Sequence, residues 1–174
     1  MRGGSRYADP MRTDDSAGGL ARLFGELTEG VSGGSGFVLN TGDIGLLRSL
    51  ETLSAADASR SVNDGATIAA HAQHVRYGLS LMNQWAAEGG NPFANAKWDE
   101  AWTLSTVSET EWTEIRAGLR DEARRWMAVL KAPREVQDVE LTGMMASVAH
   151  IAYHLGAIRQ IHKSVRGPRQ GTFS

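Results

Sequence analysis

The stretch SVAHIAYHLGAIRQIHK, residues 147–163, sets His150 and His154 four positions apart on a run that otherwise reads as buried helix. At about 100° per residue the two rings differ by only about 40° around the helix axis. Gly143, Ser147, Ala157 and Ile161 share that narrow sector, so both imidazoles point inward. The helix begins near Val136 to Glu140 and ends by Gly167-Pro168, where glycine and proline stop it.

A second apolar helix, residues 66–88, ATIAAHAQHVRYGLSLMNQWAAE, ends at the glycine pair 89–90 and carries His71 and His74. His74 shares a sector with Thr67, Ala70, Gly78, Leu81 and Trp85, and His71 lies about 60° away toward Val75 and Met82, so either can face inward. Two rings from one helix and a third from a facing helix can meet at the roughly 2.0–2.1 Å bond lengths a divalent metal requires. The competing expectation is a set of core histidines hydrogen-bonded to Ser147, Thr67, Tyr77 or Tyr153. The residues between His150 and His154 are Ile, Ala and Tyr, so the glutamate of the HExxH metallopeptidases is missing.

Elsewhere the punctuation is helical. Helical signals start near Asp14 or Asp15 and run through GLARLFGELTEG, with Leu20, Leu23, Phe24 and Leu27 as a stripe that Gly30 to Gly36 breaks. The glycine-rich SGGSGFVLNTGD lacks the Lys-Ser/Thr pair of a phosphate loop and reads as a connector. A short helix follows through Ile44, Leu46, Leu47, Leu50 and Leu53. Ser108 and Glu111 have capping-box spacing ahead of a stripe from Trp112 to Leu130 that Pro133 ends. The long connection NPFANAKWDEAWTLSTV carries Phe93, Trp98 and Trp102, which pin it over the helices or against a partner chain. The expected architecture is an all-α, antiparallel four-helix bundle with a loop-interrupted first element. It forms a single domain over residues 14–168, between a flexible leader, 1–13, and a flexible tail, 169–174.

The 174 residues suffice for one domain with its own core. With no cysteine, disulfides and thiolate ligands are excluded, and any metal is held by nitrogen and oxygen. A formal net charge of -2 with 22% charged residues gives no basic surface for nucleic acid, and Arg124-Arg125 reads as the polar side of a helix. The amino terminus lacks the apolar core of a signal peptide, and no segment approaches 18 uninterrupted apolar residues, so a cytoplasmic protein away from membranes is expected.

VAHIAYHLGAIRQI and TIAAHAQHVRYGLSLMNQW together resemble the histidine-bearing helices of the DinB/YfiT-like superfamily of metal-binding bundles. The likeness in helical layout extends from about Asp15 to Lys163. It implies an up-down-down-up four-helix bundle holding a divalent metal, zinc or nickel, through His74, His150 and His154, with His71 as rival to His74. It also implies a homodimer acting on a small molecule, with a metal-dependent thiol S-transferase activity using a low-molecular-weight thiol cosubstrate. A metal-dependent hydrolase and a non-catalytic metal-binding or assembly protein are the alternatives. Where the family often shows HRGQ after its last histidine, this chain has HLGA, with Ala157 in place of the glutamine and Gln160 one turn on.

Other candidates read more plainly. Arg76, Arg159 and Lys163 are candidates to receive an anionic substrate but read more plainly as solvated cations, and Asp43, Asp99 and Glu140 are turn and cap carboxylates unless the chain folds one over the site. His162 stands about 80° beyond His154, too far round to be a fourth ligand. A catalytic role requires an open coordination position beside a substrate-sized cavity, whereas a structural metal is closed off.

Overall fold

The computed structural model describes residues 11–12 and 14–165, and the described chain is predominantly helical. The rest of the expected leader, the tail at 169–174 and the Gly167-Pro168 stop lie outside the described residues. Six helices form: α1 (Asp14–Glu29), α2 (Leu46–Glu51), α3 (Ala55–Ala58), α4 (Ile68–Glu88), α5 (Glu109–Lys131) and α6 (Asp138–Ile161). Two-residue strands β1 (Met11–Arg12) and β2 (Glu135–Val136) pair antiparallel, Met11 opposite Val136.

The helix ends follow from local chemistry. Ser108 and Glu111 form the expected capping box at the start of α5, each satisfying the other's backbone N–H. Thr67 caps α4 by accepting from the Ala70 amide. Gly89 and Gly90 end α4 at φ values of 71° and 70°, in the left-handed region that side chains with a Cβ rarely enter. α6 stops at Ile161, earlier than the glycine and proline signals suggest, because His162 turns extended and its ring is held by Asp57 Oδ1 at 3.1 Å and Ser164 Oγ at 2.7 Å.

Contacts between helices fix their directions. Along α4 and α6, His71 meets His154, His74 meets His150, and Trp85 meets Gly143, an order that runs oppositely on the two helices. α4 and α5 instead run the same way, since Thr67 bonds to Leu104 just before α5 while Arg76 packs on Gly118 and Asn83 on Glu122. The antiparallel packing expected from the helical pattern therefore holds for α4 with α6 and not for α4 with α5. Parallel neighbours need a connection that travels back along their length, and residues 89–108 supply it. Two 3₁₀ turns within it, Pro92–Asn95 and Trp98–Thr103, lie against α4.

The core joins α1, α4, α5 and α6 through Phe24, Ile68, Leu119, Leu130, Met144, Ile151 and Leu155. Both buried indoles have hydrogen-bond partners: Trp112 Nε1 donates to the Leu53 carbonyl, and Trp126 Nε1 to Ser147 Oγ, each at 2.8 Å. α6 is long and apolar enough to cross a membrane by length and composition, and it is the only described helix that is. Here its inward residues, Met144, Val148, Ile151 and Leu155 among them, sit in this core.

The glycine-rich connector is organised by a carboxylate from α1. Glu26, 8% exposed, accepts backbone N–H bonds from Phe37, Val38 and Leu39 at 2.9, 2.7 and 2.6 Å. Burial on its own raises the Glu26 pKa, but the Leu39, Phe37 and Val38 amides outweigh it and hold the carboxyl below its ordinary value. Arg159 of α6 clamps the far end of the loop, bonding the Ile44 carbonyl at 3.0 Å and lying 3.5 Å from Asp43. Glu26→Ala is expected to lower stability by about 1–3 kcal/mol, the cost of stranding such donors. Urea unfolding checks the loss, and hydrogen exchange checks that the Phe37 to Leu39 amides lose protection first.

Candidate metal centre

Four of the five histidines converge between α4 and α6. His74 Nε2 lies 3.2 Å from His150 Nε2, and His154 Nε2 lies 2.9 Å from the same atom. On the far side of the His154 ring, Nδ1 meets His71 Nδ1 at 2.9 Å. His74, His150 and His154 lie close enough together to hold a metal ion, each offering one nitrogen, with all three atoms within 4.8 Å of one another. His71 and His74 are therefore both inward but not equivalent: His74 adjoins the shared point, while His71 backs the ring of His154. His162, at the end of α6, pairs with Asp57 and is not a member of the cluster.

The hydrogen-bond partners expected for ordinary core histidines are engaged elsewhere. Ser147 accepts from Trp126 and donates to the Met144 carbonyl, Thr67 bonds Ala70 and Leu104, and Tyr77 Oη accepts from the Lys97 amide. Tyr153 meets His154 only ring edge to ring face, with centroids 5.0 Å apart. The rings are left with each other.

This arrangement fits a cation. Two nitrogens bound at roughly 2.0–2.1 Å to one tetrahedral centre stand about 3.3 Å apart, within a few tenths of an ångström of the His74–His150 and His150–His154 spacings, while all three nitrogens lie within 4.8 Å of one another. Ligation through Nε2 leaves the proton on Nδ1, and for His154 that proton points at His71 Nδ1, which accepts it and fixes the tautomer. Among the described residues, the buried Nδ1 of His74 has no hydrogen-bond partner. Packing orients that ring instead: Trp102 stacks on it with centroids 4.4 Å apart, and Trp98 tilts against it at 5.4 Å.

All four rings are neutral at ordinary pH, the form that binds metal. Burial, then the nearby His150 and His71, pulls His74 down to about 4. His154, 1% exposed, is pulled down to about 3 by burial and then by His150, His71 and His74. Burial lowers His71 and His150 as well.

A cavity of about 380 Å³ opens beside His150, between Gly78, Met82 and Trp85 of α4 and Gly143 and Ala146 of α6, under Phe93 and Trp98. A second, of about 450 Å³, lies beyond His71 and Trp102 and includes Tyr153, Ala157 and Gln160. Ala157 and Gln160, where the chain departs from the HRGQ pattern, thus face this second space and not the shared nitrogen point. The candidate carboxylates stay away from the cluster: Asp43 is beside Arg159, Glu140 pairs with Arg134 at 2.8 Å, and Asp99 sits in the second 3₁₀ turn. Arg159 is tied to the loop, and Lys163 is exposed. Trp98 and Trp102, read in the sequence only as pins for a connection, are the aromatic cover of the histidines.

No protein-family model, curated protein or solved structure matches the chain.

The depressed histidine pKa values give the metal-free protein a pH-dependent stability. Unfolded histidines take up protons near pH 6.5, whereas folded His74 and His154 do so only near 4 and 3. Between those limits the unfolded chain binds more protons, so stability is full above about 6.5 and falls as pH drops. The expected loss between pH 7 and pH 4.5 is on the order of a few kcal/mol, in a window above the range where Glu26 titrates. Urea unfolding in chelator across that window checks it, and His154→Gln is expected to flatten the profile.

Proposed function

We propose that this chain is a divalent-metal-binding protein of the DinB/YfiT-like kind, an up-down-down-up four-helix bundle whose centre serves thiol transfer onto a small molecule. The observation that carries the reading is the convergence of His74, His150 and His154 through nitrogens about 3 Å apart at the edge of a cavity. The helix directions support it, with α4 and α5 running together and opposite to α6. Resemblance in the two histidine-bearing helices favours thiol transfer over hydrolysis.

In this reading His74, His150 and His154 hold the cation, with zinc and nickel both suited to three imidazoles. A divalent cation there supplies Lewis acidity, which brings a thiol or water toward its anionic form near neutral pH. His71 orients His154, Trp102 and Trp98 hold His74 in place and keep water from its face, and the cavity beside His150 receives the acceptor molecule. An open side of this kind favours a catalytic centre over a closed structural one. A homodimer belongs to the same reading and is carried by the resemblance in the two histidine-bearing helices alone.

Protein prepared without a histidine tag is expected to bind one zinc or nickel per chain by calorimetry. His74→Ala, His150→Ala and His154→Ala should each abolish that binding. His71→Ala should keep the stoichiometry and weaken affinity by about 10–100-fold, as loss of a group that orients a ligand does. A thiol-conjugation screen with and without chelator tests the reaction, and full activity after verified metal removal would overturn the metal-dependent reading.

A further inference from the structure

The cavity beside His150 has walls of one chemical kind. Its volume of about 380 Å³ is at the small end of the roughly 300–1,000 Å³ typical of small-molecule sites. Leu79, Met82 and Trp85 form one side, and Phe93 and Trp98 form the roof. Among the described residues, no lysine, arginine, aspartate or glutamate lines it. Of its polar residues, Ser147 is already engaged with Trp126 and Met144, which leaves Thr142 and the outer edge of His150.

The aromatic walls are set for a flat guest. Phe93 and Trp98 lie parallel, 5° between planes and 6.4 Å between centroids, and Trp85 meets Phe93 edge-on at 84°. A glycine on α6 shapes the space here. A Cβ on Gly143 would stand 2.6 Å from Trp85 Cζ3, so only glycine lets the indole lie against α6. A Cβ on Gly78 would stand 3.5 Å from His150 Cε1 and 3.8 Å from its Nδ1, which puts that edge of the ring toward the cavity-lining face of α4. The same ring turns its Nε2 to His74 and His154.

Against these walls, away from the edge that His150 shares with the cluster, a carboxylate or ammonium group would shed its hydration and meet no counter-charge from the described lining residues, a transfer that strongly disfavours ions. An apolar ring gains burial and aromatic contact on several sides. We propose that this cavity is the acceptor pocket and that it takes an uncharged, ring-bearing apolar molecule with one edge against His150, an assignment of substrate class that rests on reading the histidine cluster as a metal centre.

Two fluorescent probes that differ by one sulfonate test it on the full chain, with and without zinc: neutral N-phenyl-1-naphthylamine and anionic 8-anilinonaphthalene-1-sulfonate. The neutral probe is expected to bind one-to-one and at least about tenfold more tightly than the anion. Ala146→Phe, which places a ring in the cavity from an exposed position, should weaken the neutral probe by about tenfold or more while zinc stoichiometry and circular dichroism stay unchanged. Met145→Asp, on the exposed face next to it, should leave the neutral probe unaffected. Equal affinity for the two probes overturns the assignment. So does loss of binding in Met145→Asp without loss in Ala146→Phe, which would place the probe on the open helix face. If zinc fails to bind while the neutral probe still responds to Ala146→Phe, the metal centre is refuted and the ligand class stands, so the two readings fail separately.

Discussion

The structure depends on α4 and α6 lying antiparallel at a separation that lets four neutral imidazoles touch. Burying an ionised ring there would require a counter-charge, and the cluster contains none. The rings therefore stay neutral, and their mutual proximity keeps them so, because each proton added to one penalises the next. The close approach depends on Gly143 of α6, where Trp85 is wedged and any Cβ would collide. Packing and protonation are thus one constraint: a register shift between the helices would separate His74 from His150 and His71 from His154 together.

The path of the chain between α4 and α5 follows from a second constraint. Since these neighbours run in the same direction, the chain must travel back between them, and it does so across the mouth of the histidine cluster. Trp102 stacks on His74, and Trp98 stands over both His74 and the apolar cavity. The topological need for a return segment and the chemical need for a dry, aromatic cover are met by the same residues. The Lys97 amide, which donates to Tyr77 Oη at 3.0 Å, anchors that segment to α4 just ahead of the 3₁₀ turn that carries both tryptophans.

What could be read in the sequence was local. Ser108 with Glu111 and the glycine pair at 89–90 act within one helical turn, so their roles are visible from spacing alone. The His150 and His154 pair is likewise set by helical geometry. What could not be read was long in range. Whether His71 or His74 reaches the shared point depends on the rotation of α4 against α6, which no single-helix pattern contains, and the structure turns both inward in different parts. Glu26 reaches amides 11 to 13 residues ahead of it, so a connector that reads as plain glycine-rich loop is organised by a carboxylate hidden in the preceding helix. α6 ends at Ile161 because Asp57, distant in sequence, captures His162.

The uneven support of the three converging rings has a consequence for how the centre is held. His154 is fixed by His71 on one side and lies deep in the core, whereas His74 has an unpartnered Nδ1 and depends on indoles from a connecting segment. A hydrogen bond restrains a ring's tautomer and its rotation, while stacking restrains its plane and leaves the tautomer free. The His154 side is therefore preorganised by the helices themselves, and the His74 side is set only when the aromatic return segment is in place. Trp98 and Trp102 thus serve the cavity and the cluster together: Trp98 roofs the cavity, and both indoles pack on His74.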